Sequence, residues 1–118
     1  MKNFRQLKVW EKAHRLALDV YRATKKFPRD ELYGLTSQCR RSASSIPSNL
    51  AEGCCRSQAD FARFVQIAAG SASELEYQLL LAKDLELLEV SEYQALTDAA
   101  EEVKRMLASL LSRLRAES

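Results

Sequence analysis

The sequence contains few of the residues that interrupt regular structure, with three glycines and two prolines among its 118 residues. A protein built from many short strands needs more turns than these residues supply. Apolar residues make up 47% of the chain and charged residues 29%, a composition that can fill a core at the usual size of one domain. We therefore expect an all-α protein in which residues 1–118 form a single domain.

Long apolar runs are also missing from the chain. The longest, residues 79–82, reads Leu-Leu-Leu-Ala, which is far too short for a membrane-spanning helix, and the N-terminus lacks the apolar core of a signal peptide. The three cysteines, Cys39, Cys54 and Cys55, are odd in number and include no CxxC pair. Neither a disulfide framework nor a zinc site is therefore indicated, and we expect a protein of the reducing cytoplasm.

Histidine is nearly absent, because His14 is the only one in the chain. With Glu11 it forms an ExxH pattern, which di-iron proteins use twice within a four-helix bundle. Projection at 100° per residue places Glu11 opposite the apolar row centred on Leu16 and Val20, and His14 at its edge. A nucleophile would have no other neutral-pH base, and the chain has no P-loop or GxGxxG sequence. We expect no catalytic residues, no metal and no cofactor.

Charge is distributed unevenly along the chain. Residues 1–63 contain 13 Lys and Arg against 6 Asp and Glu, a net charge of +7, whereas residues 64–118 contain 5 against 10, a net charge of −5. Such asymmetry indicates either a nucleic-acid-binding face or an assembly in which unlike surfaces of two copies meet.

Apolar residues recur at spacings of three and four along four segments, which is the pattern of amphipathic helices. We interpret Gly53 as the stop of the second helix, and Ser57 and Ser91 as the N-terminal caps of the third and fourth. The predicted helices span residues 7–26, 34–53, 58–87 and 92–115. Because only short connections join them, we expect an antiparallel up-down-up-down four-helix bundle.

Residues 40–53 are the least helix-like part of these segments. Serine, asparagine and proline lower helix propensity, so a helix through Pro47 must be held by packing. Opposite its core row, the second helix carries a polar row: Ser37, Arg41, Ser44, Ser48 and Glu52. Small hydroxyls let another helix approach closely, and we therefore expect Ser44 and Ser48 at a contact with a second copy of the chain.

Five basic residues lie along one solvent-facing line of the first predicted helix, and we call them the basic stripe: Lys8, Lys12, Arg15, Arg22 and Lys26. Three further basic residues in the same half of the chain extend this candidate nucleic-acid-binding surface: Arg40, Arg41 and Arg56. Such arrays bind phosphate backbones through counterion release, without reading bases. The alternative is that the stripe is merely solvated, or that it pairs with acidic residues of another copy, such as Glu101 and Glu102.

The third predicted helix has more apolar surface than a solitary bundle needs. Opposite its core row lies a second line of residues, which we call the outer row: Ile67, Gly70, Glu74, Tyr77 and Leu81. A helix that is apolar on two faces is normally buried on both, and Gly70 would let a neighbouring backbone approach. We expect a homo-oligomer with the outer row at its interface. The alternative is that Tyr77 and Leu81 are single exposed apolar residues, which are common.

Several short motifs, in a fixed order along most of the chain, resemble those of one known family. They are Leu7-Lys8-Val9-Trp10, Phe27-Pro28, Tyr33-Gly34-Leu35, Arg40-Arg41, Ser45-Ile46-Pro47-Ser48-Asn49-Leu50-Ala51-Glu52-Gly53, Gly70-Ser71 and Glu74-Leu75-Glu76. This series resembles the bacterial four-helix bundle protein family. That family includes proteins encoded in intervening sequences of large-subunit rRNA genes and the accessory variability protein of diversity-generating retroelements.

The resemblance implies antiparallel four-helix protomers, commonly assembled as a pentameric ring. It also implies that members encoded in retroelements bind nucleic acid as partners of a reverse transcriptase. Two functions remain open for this chain. One is a non-catalytic homo-oligomeric accessory or adaptor protein that binds RNA or DNA backbone, and the other is a structural or protein-interaction module with no nucleic-acid ligand.

Overall fold

A computed structural model describes residues 3–117, and within this range the chain forms four α-helices, two short 3-10 helices and no β-strand. The α-helices are α1 (Lys8–Thr24), α2 (Leu35–Cys54), α3 (Gln58–Asp84) and α4 (Val90–Ala116). The 3-10 helices are Phe4–Gln6 and Arg29–Glu31. These elements confirm the all-α prediction. The single domain over residues 1–118 stays a prediction, and residues 1, 2 and 118 lie outside the described range.

The helices pack in chain order, and α4 closes the arrangement against α1. Contacts between α1 and α4 run in opposite sequence order, because Lys12 lies beside Glu102 whereas Lys26 lies beside Glu92. Each helix supplies fully buried side chains to a common core: Leu16, Ile46, Leu50, Leu75, Leu79 and Leu107. Burying an aliphatic side chain of this size contributes about 1.5–3 kcal/mol, so the apolar rows account for the association of the four helices.

The helix α2 continues through Pro47, as the sequence predicts, and Pro47 is buried inside it. Side chains of this segment bond back to the backbone and to one another. Asn49 Nδ2 donates to the carbonyl of Ser45 at 2.8 Å and to its Oγ at 3.0 Å. Ser45 Oγ lies 2.8 Å from Ser71 Oγ of α3. The polar residues of this unfavourable sequence therefore help to hold α2 in place against α3.

Helix α2 ends one residue after the predicted stop at Gly53, and Gly53 is not the residue that caps it. The helix α2 continues through Cys54, and no glycine in residues 3–117 has a positive φ. A Cβ built on Gly53 would lie only 2.6 Å from the Cβ of Phe64 and 3.1 Å from Cδ1 of Phe61. Glycine is present here because α2 and α3 approach closely.

The third helix ends at Asp84, three residues before the predicted boundary of 87. Glu86 adopts a left-handed φ of 64°. The N–H of Leu87 donates to the carbonyl of Ala82 at 2.8 Å, and the N–H of Glu86 to that of Lys83 at 2.9 Å. These two bonds form a Schellman motif, in which glycine usually occupies the left-handed position. Glutamate at that position gives no sequence signal for a stop.

Replacing Glu86 by glycine should stabilise the fold. A side chain in the left-handed region costs roughly 1–2 kcal/mol, and glycine removes this cost at a smaller entropic penalty. We expect the free energy of unfolding to rise by about 1 kcal/mol in urea denaturation. Asp84→Gly, placed in the last turn of the same helix, is the control and should lower it by roughly 0.5–1 kcal/mol. Equal destabilisation by both variants would contradict this explanation of the boundary.

The start of α4 also differs from its prediction. The cap is Glu89 rather than Ser91, and the helix begins at Val90. Glu89 and Glu92 form a reciprocal capping box, in which the N–H of Glu89 donates to Glu92 Oε1 at 3.2 Å. A carboxylate at the first turn also interacts favourably with the helix dipole.

Candidate functional site

Three of the five basic-stripe residues are paired with acids of the same chain. Lys12 Nζ lies 3.6 Å from Glu102 Oε2, and Arg22 Nη1 lies 3.4 Å from Asp19 Oδ1. Lys26, just beyond the end of α1, donates to Glu92 of α4. Two acids of α4 therefore lie along one edge of the stripe, and Lys12 meets Glu102 of its own chain.

Two stripe residues remain without such a partner. Lys8 and Arg15 are exposed and form no ion pair with any residue in the described part of the chain. Exposed ion pairs contribute only about 0–1 kcal/mol, so Lys12, Arg22 and Lys26 can exchange their partners. The pairs nevertheless reduce the local positive potential, and Lys8 and Arg15 carry most of what remains.

Pairing with Lys26 perturbs the titration of Glu92. The hydrogen bond from Lys26, followed by that from the backbone N–H of Glu89, holds the pKa of Glu92 below its usual value. A lowered pKa in the folded state means that the ionised carboxylate stabilises the fold above the unfolded pKa. This contribution is lost as the pH falls through the folded pKa. Glu92 thus links the start of α4 to the basic stripe.

The other three candidate basic residues have different surroundings. Arg40 Nε donates to Thr24 Oγ1 at 2.9 Å and its Nη2 to the carbonyl of Tyr21 at 3.4 Å, so that it ties α2 to the C-terminal end of α1. Arg41 is exposed and donates to Ser37 Oγ at 3.2 Å. Arg56 Nη2 lies 3.1 Å from Glu52 Oε2. Arg40 therefore has a structural task in joining α2 to α1.

The outer row is only partly exposed. Ile67 and Tyr77 are 42% and 61% exposed, Glu74 is exposed, and a Cβ on Gly70 would meet no neighbouring atom of residues 3–117 within 4 Å. Leu81 instead packs against the core of its own chain. Four of the five residues thus present an uncovered face.

Ser44 and Ser48 lie beside an apolar groove that sequence reasoning missed, which we call the α1–α2 groove. Its lining comes mainly from Trp10, His14, Leu18 and Tyr21 of α1 and from Ser44, Pro47 and Ser48 of α2. Leu18 and Tyr21 are 40% and 42% exposed, and the rings of Trp10 and His14 stack at 5.0 Å. These four α1 residues follow one another at spacings of four, four and three, and therefore form a second line along the helix. That spacing is the sequence signal that could have predicted the groove.

A polar pocket lies on the other side of α2, and we call it the α2–α3 pocket. Its volume is about 150 Å³, and it is lined by Gln38, Arg41, Ser42, Ser45, Ser71, Glu74 and Gln78. Gln78 is only 5% exposed, and its Oε1 has no hydrogen-bond partner among the described residues. Buried polar atoms usually have partners. No feature of the sequence indicates this pocket, because neither helix forms it alone.

The groups considered for catalysis have different surroundings. Glu11 and His14 are exposed, and His14 stacks on Trp10. Burial raises the pKa of the Cys39 thiol to about 11, so that at neutral pH it is protonated and weakly nucleophilic. In residues 3–117, no three His, Cys, Asp or Glu side chains converge to hold a metal ion. None of the helices in this range is long and apolar enough to cross a bilayer.

Cys54 and Cys55, whose role the sequence leaves open, have unlike surroundings. Cys54 is buried, whereas Cys55 is exposed and its Sγ donates to the carbonyl of Glu52 at 3.2 Å. They lie at the end of α2, where the helix dipole does not favour a thiolate.

Comparison with known proteins identifies a family and a similar solved structure. The model of the 23S rRNA-intervening sequence protein family matches residues 5–109. A crystal structure of a protein of unknown function from the S23 ribosomal protein family of Bacteroides thetaiotaomicron VPI-5482 is similar, with 26% sequence identity and a TM-score of 0.81. The match covers 88% of this chain and 95% of that chain. A search of curated proteins found no match. With a matching fold and a family match over most of its length, the chain belongs to the 23S rRNA-intervening sequence protein family.

Proposed function

We propose that this protein is a non-catalytic homo-oligomer whose assembled subunits bind the phosphate backbone of RNA or DNA as an accessory protein. The family resemblance noted in the sequence favours a ring of five copies. In a ring, one surface of each copy contacts a different surface of the next. The uncovered face of α3 and the α1–α2 groove are two unlike apolar surfaces of this kind.

Support for self-association comes from the outer row. Ile67, Gly70 and Tyr77 place apolar and small residues at an exposed helix face with open space around Gly70. Contiguous apolar surface of this kind is typical of protein–protein contacts. The α1–α2 groove offers a complementary concave surface, and Leu18 and Tyr21 lie at its exposed edge.

The observation that carries nucleic-acid binding is the unpaired charge of Lys8 and Arg15. Both are exposed on one face of α1 and have no acidic partner in residues 3–117. Two cations on one protomer bind a polyanion weakly, because they neutralise only a few phosphates and therefore release only a few counterions. Repetition around a ring multiplies the number of phosphate contacts.

Charge reversal at these two positions tests the proposal. In Lys8→Glu/Arg15→Glu, we expect affinity for a mixed-sequence single-stranded RNA at low salt to fall at least tenfold in fluorescence anisotropy. The slope of log affinity against log salt should become shallower by roughly 1.4 for each copy that touches the RNA, since each lost contact contributes about 0.7.

The matched control is Arg105→Glu/Arg113→Glu, which makes the same charge change on exposed residues of α4. It should reduce binding much less than the α1 variant. Equal losses in the two variants would show that only net charge matters. Absence of wild-type binding at low salt, or binding that does not weaken as salt rises, would contradict the proposal.

One observation favours the second function, a structural or protein-interaction module without a nucleic-acid ligand. The pairs Lys12–Glu102 and Lys26–Glu92 neutralise part of the basic stripe within the chain itself. In that case the wild-type protein would assemble but would not bind RNA at any salt concentration.

A further inference from the structure

The α2–α3 pocket is lined by two acceptor side chains, Gln78 and Glu74, that residues 3–117 leave unpaired. Gln78 is nine-tenths buried or more, and its Oε1 has no partner in the described part of the chain. Glu74 stands at the same pocket and forms no ion pair with residues 3–117. An unsatisfied buried oxygen is unfavourable, so a group that enters this pocket and donates a hydrogen bond would stabilise it.

The neighbouring carboxylate on the same helix shows the contrast. Glu76, on the side of α3 that faces α4, accepts a hydrogen bond from Lys104 Nζ at 2.7 Å. On the α2-facing side, the residues opposite Glu74 are mainly serines and Gln38. The one cation there, Arg41, donates to Ser37, one turn earlier in α2. Within residues 3–117, Arg41 therefore pairs with neither Glu74 nor Gln78.

We propose that the α2–α3 pocket receives the guanidinium or ammonium end of an arginine or lysine side chain from a second copy of this chain. Such groups carry several N–H donors and no acceptor, which matches the amide oxygen of Gln78 and the carboxylate of Glu74. An anionic occupant would instead be repelled by both oxygens. The volume of about 150 Å³ is well above the 10–15 Å³ that one water needs, so a side-chain end has room to enter.

The pocket lies at the face that we propose for self-association. Glu74 belongs to the outer row, so an occupant at this pocket lies next to the exposed Ile67, Gly70 and Tyr77. If the cation and the pocket lie on different surfaces of the protomer, the contact between two copies is heterologous. Repeating such a contact generates a ring when the rotation between copies closes. This inference rests on the proposed self-association. It names the polar contact that fixes how two copies align at their interface.

Two single substitutions and one competitor test the inference by sedimentation velocity. Gln78→Leu removes the buried acceptor with little change in volume, and Glu74→Gln removes the charge at an exposed position. Each should weaken self-association at least tenfold, while Glu101→Gln, an exposed carboxylate on α4, should leave it unchanged. Methylguanidinium should dissociate the wild-type assembly at concentrations where tetramethylammonium, which has the same charge and no N–H donor, does not.

The outcomes separate this inference from the function on which it rests. A wild-type protein that stays monomeric would overturn both. A wild-type assembly that is unaffected by either substitution, and equally insensitive to both cations, would overturn the pocket's role and leave self-association standing. Circular dichroism verifies that Gln78→Leu is folded. Glu74→Gln tests self-association independently, because its substitution lies at an exposed position.

Discussion

Replacing Ile67 and Tyr77 by glutamate should convert the assembled protein into folded monomers. Both side chains are substantially exposed in the isolated protomer, at 42% and 61%, so their loss removes little of the bundle's own packing. Burying two carboxylates at an interface without partners costs several kcal/mol per charge. Because every copy carries the change at every contact, we expect complete dissociation at micromolar concentration, measured by sedimentation velocity.

RNA binding should weaken in the same variant by at least a hundredfold. The number of phosphate contacts falls with the number of copies, and affinity depends steeply on that number. Leu80→Glu is the control, because Leu80 is 38% exposed on the same helix but lies outside the outer row. It should leave the assembly intact. A double variant that remains assembled would place the interface elsewhere, with the α1–α2 groove as the next surface to test.

Replacing Gly53 by alanine should lower the free energy of unfolding by about 1–3 kcal/mol, the usual cost of overpacking a close contact. The new Cβ would lie 2.6 Å from the Cβ of Phe64, so α2 and α3 must move apart. Helix propensity acts in the opposite direction, because alanine inside a helix is more favourable than glycine by roughly 0.5–1 kcal/mol. The sign of the change therefore decides between close packing and simple propensity.

Gly70→Ala supplies the matched control, made in the Ile67→Glu/Tyr77→Glu background so that assembly does not contribute. Its new methyl group meets no neighbouring atom of residues 3–117 within 4 Å, so only propensity acts and stability should rise. Both are followed by urea denaturation. A rise in the free energy of unfolding of both variants would show that the close approach of α2 to Phe64 does not exclude a side chain at position 53.

The four helices were predictable from apolar spacing, even for α2, whose core residues keep their register through Pro47. Two ends were not. The end of α3 depends on Glu86 in a left-handed conformation, which the sequence signals only when glycine or asparagine is present. The start of α4 depends on the reciprocal bonds of Glu89 and Glu92, whereas Ser91 offered a more conventional cap two residues later.

The candidate surfaces were predictable only as far as a single helix determines them. Projection along α1 places Lys12 and Lys26 in one line, but it cannot show that Glu102 and Glu92 of α4 lie beside them. Likewise, the partnerless Gln78 becomes apparent only when α2 and α3 are packed together. Contacts between helices decide which polar groups are satisfied, and these contacts depend on tertiary structure.

Light scattering of the purified wild-type protein measures directly whether the protomers assemble. We expect a mass several times the 13.4 kDa of one chain, and five times that mass for a closed ring of five. A mass of 13.4 kDa across the micromolar range would contradict self-association, and with it the multiplied basic surface on which RNA binding depends.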